Sequence, residues 1–268
     1  MVHRAFRLAY DGTDYHGFQR QPTVTTVEGE LFAALGRLGV FDGEHRPSGY
    51  AAAGRTDRGV SALAQTVGLE TPDWLTPRAL NSELPASIRA WAMAKTDPSF
   101  HATHDAKRRT YTYYLLEETV ELHRIQTALA SLSGTHDFRA LTPDDDNTTR
   151  TLQTALRVEA PFIVVTLEAD GFPRQLVRRI VGLLTAIGRG ERDDLEAVLA
   201  AETLSGPDGV QVAPPEPLVL CDVVYPGLSF DRDGEAATSA IEVFERNHQQ
   251  LTTRARVART IKRGVEPE

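Results

Sequence analysis

The strongest constraint on the fold is that one order of strand-like and helix-like segments occurs twice along the chain. Runs of β-branched and aromatic residues indicate strands, and apolar residues that recur every three or four positions indicate helices. The first copy runs strand, helix, strand, strand, helix, strand over residues 4–10, 27–38, 50–53, 60–69, 77–84 and 88–94. The second copy repeats this order, with one additional helix at 195–204 before its last strand, over residues 110–116, 122–132, 152–158, 162–168, 173–187 and 219–225. The repetition predicts two similar halves.

Each βαββαβ unit is typical of the ferredoxin-like split βαβ arrangement. Two such halves side by side predict an α+β protein in which a continuous, mainly antiparallel sheet carries helices on one side and a central cleft lies between the halves. We expect an N-terminal half at 1–106, a C-terminal half at 107–227 and a helical tail at 228–268, with a helix over 236–261.

The composition is that of a globular protein. Of the 268 residues 41% are hydrophobic, and no apolar run reaches the length of about 20 residues that crosses a bilayer. Cys221 is the only cysteine, which excludes an internal disulfide and a cysteine-based zinc site. The chain opens on a strand-like pattern and not on a signal peptide, so we expect a cytoplasmic location.

The charge pattern bears on the class of partner. A formal net charge of -8 argues against a generally basic nucleic-acid binder. However, only three cations are lysines, and the arginines cluster at 108–109, beside Lys107, and at 174–179. Because the planar guanidinium can bind phosphate through two hydrogen bonds and can stack on bases, the pattern allows a basic cleft within an acidic surface.

The segment 53–60, Ala-Gly-Arg-Thr-Asp-Arg-Gly-Val, places one carboxylate between two arginines and two glycines. Nearby positive charge favours the ionised form of Asp57, and glycine allows a tight turn and close approach of a ligand. An ionised carboxylate in such a turn can act as a nucleophile. The alternative is that Asp57 caps the turn by bonding to local amides while Arg55 and Arg58 are solvated.

Several separated motifs together resemble the tRNA pseudouridine synthase A family, in the family's order and approximate spacing over residues 4–227. These motifs are Tyr-Asp-Gly-Thr-Asp-Tyr-His-Gly-Phe-Gln-Arg-Gln at 10–21, the 53–60 segment with Gln65, Phe-His-Ala at 100–102, Arg-Thr-Tyr-Thr-Tyr at 109–113 and Arg-Gln-Leu-Val-Arg-Arg-Ile-Val-Gly at 174–182. Ser61 departs from the commoner family pattern, in which a histidine often stands there.

The resemblance implies a pseudouridine synthase fold with an RNA-binding cleft and a specific reaction. Asp57 would be the nucleophile that starts isomerisation of a tRNA uridine to pseudouridine in the anticodon stem-loop, at nucleotides 38 to 40. Whether it attacks the pyrimidine ring or the ribose stays open. The resemblance implies tRNA as partner, a homodimer in which one tRNA can span both subunits, and no cofactor or metal.

Two further site residues follow from the same resemblance, and a third follows from spacing along the chain. Tyr111 matches the tyrosine that stacks on the flipped uracil, and the alternative is a strand tyrosine packed in the core. Arg55 matches the residue that enters the space left by the target nucleotide and binds phosphate, and the alternative is a solvated turn arginine. Arg178 is the expected partner of Asp57, because its spacing from Arg174 would place both on one helical face.

Two other functions compete with this interpretation. A non-catalytic tRNA-binding protein or RNA chaperone would keep the cleft and bind without chemistry. A metal-dependent hydrolase would use His16, His101 and His104, although these histidines lack the spacing of a helical ligand pair with a nearby acid. The acidic loop at 142–147 is expected to be solvated.

Overall fold

The computed structural model describes residues 1–43, 46–116, 119–202 and 209–266. The first half contains β1 (Val2–Tyr10), α1 (Val27–Arg37), β2 (Ala51–Ala52), β3 (Ser61–Thr71), α2 (Pro77–Asn81) and β4 (Ile88–Lys95). The second half contains β5 (Arg108–Leu116), α3 (Leu122–Ser131), β6 (Gly134–Asp137), a 3-10 turn (Arg139–Leu141), β7 (Thr149–Glu159), β8 (Phe162–Ala169), α4 (Leu176–Gly188), α5 (Leu195–Ala200) and β9 (Leu218–Val224). The tail adds β10 (Asp231–Arg232) and α6 (Gly234–Val265).

The strands form one ten-stranded sheet across the described residues, in the order β10-β4-β1-β3-β9-β5-β8-β7-β6, with β2 paired to β3. The internal order β4-β1-β3-β2 of the first half matches β9-β5-β8-β7 of the second, so the two halves share one topology. Of the pairings found, only β3 with β9, which joins the halves, is parallel. The predicted α+β class with a continuous, mainly antiparallel sheet is confirmed.

The junction between the halves is short. β9 pairs with β3 only at Ser61 and Ala62, while β2 pairs with the same edge of β3 farther along, at Val67 and Gly68. The segment 53–60 therefore fills the sheet edge between these two pairings. This placement puts the Asp57 turn directly at the junction.

Each half has its own hydrophobic core, and β9 contributes to both. The first core contains Phe6, Leu35 and Leu69 together with Leu220 from β9, whereas Leu218 packs in the second core. Tyr111 on β5 contacts both cores. The two halves are consequently packed as one body around the junction.

Several expected segments differ in length from the observed ones. The helix expected at 77–84 ends at Asn81, and the helix expected at 173–187 begins only at Leu176 because Gln175 has a left-handed φ of 62°. Residues 203 and 204 of the expected 195–204 helix lie outside the described residues, and α5 ends at Ala200. β6 and β10 were not predicted, since neither Gly-Thr-His-Asp nor Asp-Arg carries an apolar alternation.

The tail forms the long helix α6. Asp233 caps its start by accepting a hydrogen bond from the Ala236 amide at 3.0 Å, and Ala236, Ala237 and Ala240 are buried where the helix packs on β4 and α2. No helix within the described ranges has the length and apolar character needed to span a membrane.

Candidate active site

A cleft of about 1320 Å³ opens between the halves and contains the Asp57 turn. Its walls come from the 16–21 loop and the 51–58 segment of the first half, and from β5, the 170–175 segment and the start of α4 in the second half. The charged side chains along it are Arg46, Arg55, Arg58, Arg109, Arg150, Arg174, Arg178, Glu28, Asp57, Asp144 and Asp170. Arginines thus outnumber carboxylates in the cleft of a protein with a net charge of -8.

Backbone contacts fix the Asp57 turn from both sides. The Val60 amide donates to the Asp57 carbonyl at 3.2 Å, and the Gly59 amide donates to the Tyr15 carbonyl at 3.2 Å. Gly59 has a φ of 81°, and a Cβ there would lie 2.9 Å from the Pro215 ring. Only glycine meets both conditions without strain. Gly54, the other glycine of the motif, has an ordinary φ and no such close neighbour.

Arg178 is the cation that contacts Asp57. Its Nη1 lies 3.3 Å from Oδ2 of Asp57, and its Nε donates to the Ala213 carbonyl at 2.7 Å. The side chains of Arg178 and Asp57 are 15% and 28% exposed, so the pair is shielded but reachable from the cleft. The structure therefore brings together two residues 121 positions apart.

The prediction that Arg174 and Arg178 lie on one face of a helix was wrong. Arg174 precedes the first residue of α4 and binds Asp144, with its Nε 3.3 Å from Oδ1 and its amide donating to Oδ2 at 2.7 Å. The expectation of a wholly solvated acidic loop was wrong for Asp144, since this carboxylate ties the loop to the cleft wall.

The two arginines adjacent to Asp57 in sequence do not pair with it. Arg55 and Arg58 are both exposed and line the cleft. Within the part of the chain that the structure describes, neither side chain has a hydrogen bond or ion pair. Both guanidinium groups are therefore available to an external anion.

Tyr111 lies beside the turn, with its hydroxyl 4.0 Å from the position that a Cβ on Gly54 would take. Its ring meets the Phe172 ring edge to face, with centroids 5.2 Å apart and an interplanar angle of 88°. Burial raises the pKa of Tyr111 to about 12, with the Arg109 guanidinium acting in the opposite direction and the Asp57 carboxylate adding to the rise. The phenol is consequently neutral at physiological pH.

Arg109 and Gln65 support the turn, and sequence reasoning assigned neither of them a role. Arg109 is 8% exposed and donates to the Ala53 carbonyl through Nε at 3.0 Å and Nη2 at 2.7 Å, and to the Thr103 and Asp170 carbonyls. Gln65 is fully buried and donates to the Gly54 carbonyl at 2.8 Å. One signal was present for Arg109, because it stands two residues before Tyr111 on a strand and so shares its face.

The histidines of the cleft do not form a metal site. His101 and His104 stack with ring centroids 4.2 Å apart, and Nδ1 of His101 accepts from the Thr103 amide at 3.3 Å. Among the residues described, no group of three or more His, Cys, Asp or Glu side chains is arranged to hold a metal ion.

The sequence of the chain matches known proteins over nearly its full length. A family model described as tRNA pseudouridine synthase matches residues 128–226. A tRNA pseudouridine synthase A from Natronomonas pharaonis is 56% identical over 95% of this chain and 97% of its own length. The proteins of that name from Haloarcula marismortui and Thermococcus kodakarensis are 52% and 36% identical, over 98% and 94% of this chain and 100% and 96% of their own lengths.

Among solved structures, the archaeal box H/ACA sRNP Nop10-Cbf5 complex aligns with 66% of this chain and 45% of that chain, at a TM-score of 0.35 and 15% identity. This structural similarity is weak. The sequence matches define a pseudouridine synthase, which is an isomerase, and the α+β sheet of two similar halves is the fold expected for that class. Within that class, the chain belongs to the tRNA pseudouridine synthase A family.

Proposed function

We propose that this protein converts uridine to pseudouridine in the anticodon stem-loop of tRNA, at nucleotides 38 to 40, with Asp57 as the nucleophile. The observation that carries the proposal is the Asp57 carboxylate held against Arg178 at 3.3 Å, in an arginine-lined cleft beside the ring of Tyr111. The family relationship supplies the substrate and the reaction.

The reaction rearranges atoms within one nucleotide. The bond between N1 of uracil and C1′ of ribose breaks, the freed ring turns, and a bond forms between C5 and C1′. The hydrogen on C5 leaves and N1 gains a proton, so no oxidant, reductant or external group is consumed. Asp57 would start the sequence by attacking either the pyrimidine ring or C1′ of the ribose. Arg178, itself fixed by the Ala213 carbonyl, would hold the carboxylate in one orientation.

Tyr111 would act as a neutral stacking ring. The Phe172 edge and the core contacts of Tyr111 fix the plane of its ring in the cleft wall, so it could hold the freed uracil while the ring turns. Because its pKa is about 12, almost none of it is phenolate at neutral pH. A neutral phenol is a poor base, so Tyr111 in this state would not be the group that removes the hydrogen from C5.

Arg55 would bind the RNA next to the reacting nucleotide. A nucleotide inside a stem-loop must leave the stack before a side chain can reach it, and the extruded state needs support. Arg55 adjoins Asp57 through Thr56 and is exposed without a partner among the residues described. Its guanidinium could occupy the vacated space and bind the neighbouring phosphate.

The test is to locate the product. Purified protein is incubated with an unmodified tRNA transcript, and pseudouridine is mapped by carbodiimide treatment and primer extension. We expect stops at one or more of nucleotides 38 to 40 and none with heat-denatured protein. Stops elsewhere would overturn the position, and tRNA binding without any stop would favour the non-catalytic RNA chaperone.

The homodimer is a further proposal from the family resemblance, and the cytoplasmic location stays a proposal as well. The division at 1–106, 107–227 and 228–268 stays a prediction as well. Sedimentation of the purified protein with and without tRNA would measure the subunit number directly.

A further inference from the structure

The C-terminal part of α6 has no packing partner in the described structure. Every residue from His248 to Glu266 is exposed, in contrast to the start of the helix, which packs on β4. We call residues 248–266 the C-terminal arm. At a rise of about 1.5 Å per residue, the arm is roughly 28 Å long.

The C-terminal arm is basic, whereas the protein is acidic. Its charged residues are Arg254, Arg256, Arg259, Lys262, Arg263 and Glu266. Since the whole chain has a net charge of -8 and the arm +4, the rest of the chain carries -12. Lys262 lies 3.7 Å from Glu266, and the four arginines have no ion-pair partner among the residues described. The arm therefore presents uncompensated positive charge.

The arm leaves the body of the protein near the Asp57 turn. Just before it, Asn247 donates through Nδ2 to Oδ2 of Asp11 at 2.7 Å, and Asp11 directly follows β1. Tyr10 at the end of β1 pairs with Ala62 at the start of β3. The Asp57 turn therefore leads into β3 at the same end of the sheet. The same 11–17 loop supplies the Tyr15 carbonyl that accepts from Gly59.

The charge of the arm disfavours pairing with the arm of a second copy and is complementary to the phosphate backbone of RNA. Leu251, Val257 and Ile261 are more than half exposed and lie towards one side of the helix. Arg254 lies on that side too, because it follows Leu251 by three residues and precedes Ile261 by seven. Pairing two arms along this side would bury Arg254 and bring two segments of charge +4 together, whereas a phosphate backbone neutralises both.

We propose that the C-terminal arm binds the phosphate backbone of the tRNA outside the cleft. The inference rests on the proposed function for the identity of the RNA. The arm supplies non-specific electrostatic attraction that the acidic body does not, while the cleft selects the nucleotide. It contributes to affinity and not to the rate of the bound complex.

The test compares two full-length variants of equal net charge. In the arm variant the changes are Arg254→Gln, Arg256→Gln, Arg259→Gln, Lys262→Gln and Arg263→Gln. In the control variant the changes are Arg37→Gln, Lys95→Gln, Arg139→Gln, Arg157→Gln and Arg189→Gln, all outside the arm and the cleft. The dissociation constant for tRNA is measured by filter binding from 0.05 to 0.5 M KCl, with circular dichroism as the check of folding.

We expect the arm variant to bind tRNA about tenfold or more weakly at low salt, and its logarithmic salt slope to be less steep by about 2 or more. Its single-turnover rate at saturating tRNA should equal that of the unchanged protein, and the control variant should retain affinity. Equal loss in both variants, or no loss in the arm variant, would overturn the proposal.

Sedimentation distinguishes RNA binding by the arm from contact between two copies of the chain. A lower molecular mass of the arm variant, with affinity lost only through dissociation, would assign the arm to contact between copies of the chain and overturn RNA binding. The binding measurement does not depend on product formation. A wild-type protein that forms no pseudouridine would therefore contradict the proposed function, whereas the effect of the arm on tRNA affinity could still be measured.

Discussion

The position of Asp57 depends on contacts from distant parts of the chain. The two arginines beside it in sequence face the cleft. The cation that contacts Asp57 is Arg178 of α4, whose guanidinium donates to the Ala213 carbonyl. Arg109 fixes the Ala53 carbonyl on the other side of the motif. Asp57 thus lies on the 53–60 segment, whereas the contact that orients its carboxylate comes from α4.

Removing Arg178 should reduce the rate more than the affinity. In Arg178→Met the carboxylate loses its charged hydrogen bond, which is worth about 1.5 to 3 kcal/mol, so we expect the single-turnover rate to fall roughly 10- to 100-fold. Arg174→Met is the matched control, because Arg174 pairs with Asp144 and not with Asp57. A rate in Arg178→Met equal to that of the control would remove Arg178 from the orientation of Asp57.

The helix α4 positions Arg178 through a close crossing. A Cβ on Gly182 would lie 1.9 Å from the Gln211 carbonyl oxygen, so the 211–213 segment can pass directly over the helix. In the same crossing, the Ala213 amide donates to the Arg178 carbonyl at 3.1 Å. The glycine therefore determines where the acceptor of the Arg178 guanidinium lies.

Gly182→Ala should consequently destabilise the fold and lower activity. The added methyl group must push the 211–213 backbone away, at a cost of about 1 to 3 kcal/mol in the free energy of unfolding. Gly264→Ala serves as the control, since nothing lies within 4 Å of its Cβ and alanine favours the helix by up to about 1 kcal/mol. Urea unfolding and the single-turnover rate measure both effects, and an unchanged midpoint for Gly182→Ala would contradict the crossing.

The sequence predicted most elements because their apolar periodicity is strong, as in Leu176, Ile180 and Leu184 of α4. It missed β6, whose residues carry no alternation, and the left-handed Gln175 that delays the start of α4. For the site, the charge pattern of the 53–60 segment and the family resemblance indicated Asp57, and the resemblance indicated Tyr111. Backbone acceptors such as the Ala213 carbonyl leave no signal in residue type, so their role required the fold.

The distribution of charge and of buried phenols characterises the protein as a whole. Positive charge is concentrated in the cleft and the C-terminal arm, against an otherwise acidic surface. Several tyrosines are buried near the junction of the halves, and burial raises the pKa values of Tyr10, Tyr111, Tyr113 and Tyr225. The folded state therefore binds these protons more tightly than the unfolded chain does.

Stability should decrease in alkaline solution. The unfolded phenols ionise near pH 10, while Tyr111 and Tyr113 hold their protons to about 12, so their contribution is complete below pH 10 and is lost as the pH rises towards 12. Each such group lowers the free energy of unfolding by about 1.4 kcal/mol per pH unit in that interval. Urea unfolding at pH 9, 10 and 11 should show this fall, and Tyr113→Phe should make it less steep. An equally steep fall in Tyr113→Phe would contradict the assignment.

The most direct measurement is the release of tritium from tRNA labelled at C5 of uridine, since pseudouridine formation must expel the hydrogen at that carbon. Asp57→Asn is compared with Asp170→Asn, which makes the same chemical change at an exposed carboxylate of the same cleft. With tRNA saturating for each protein, we predict that Asp57→Asn slows release by about 10⁴-fold or more while Asp170→Asn keeps the wild-type rate. Release by Asp57→Asn at the rate of Asp170→Asn would contradict the assignment of Asp57 as the nucleophile.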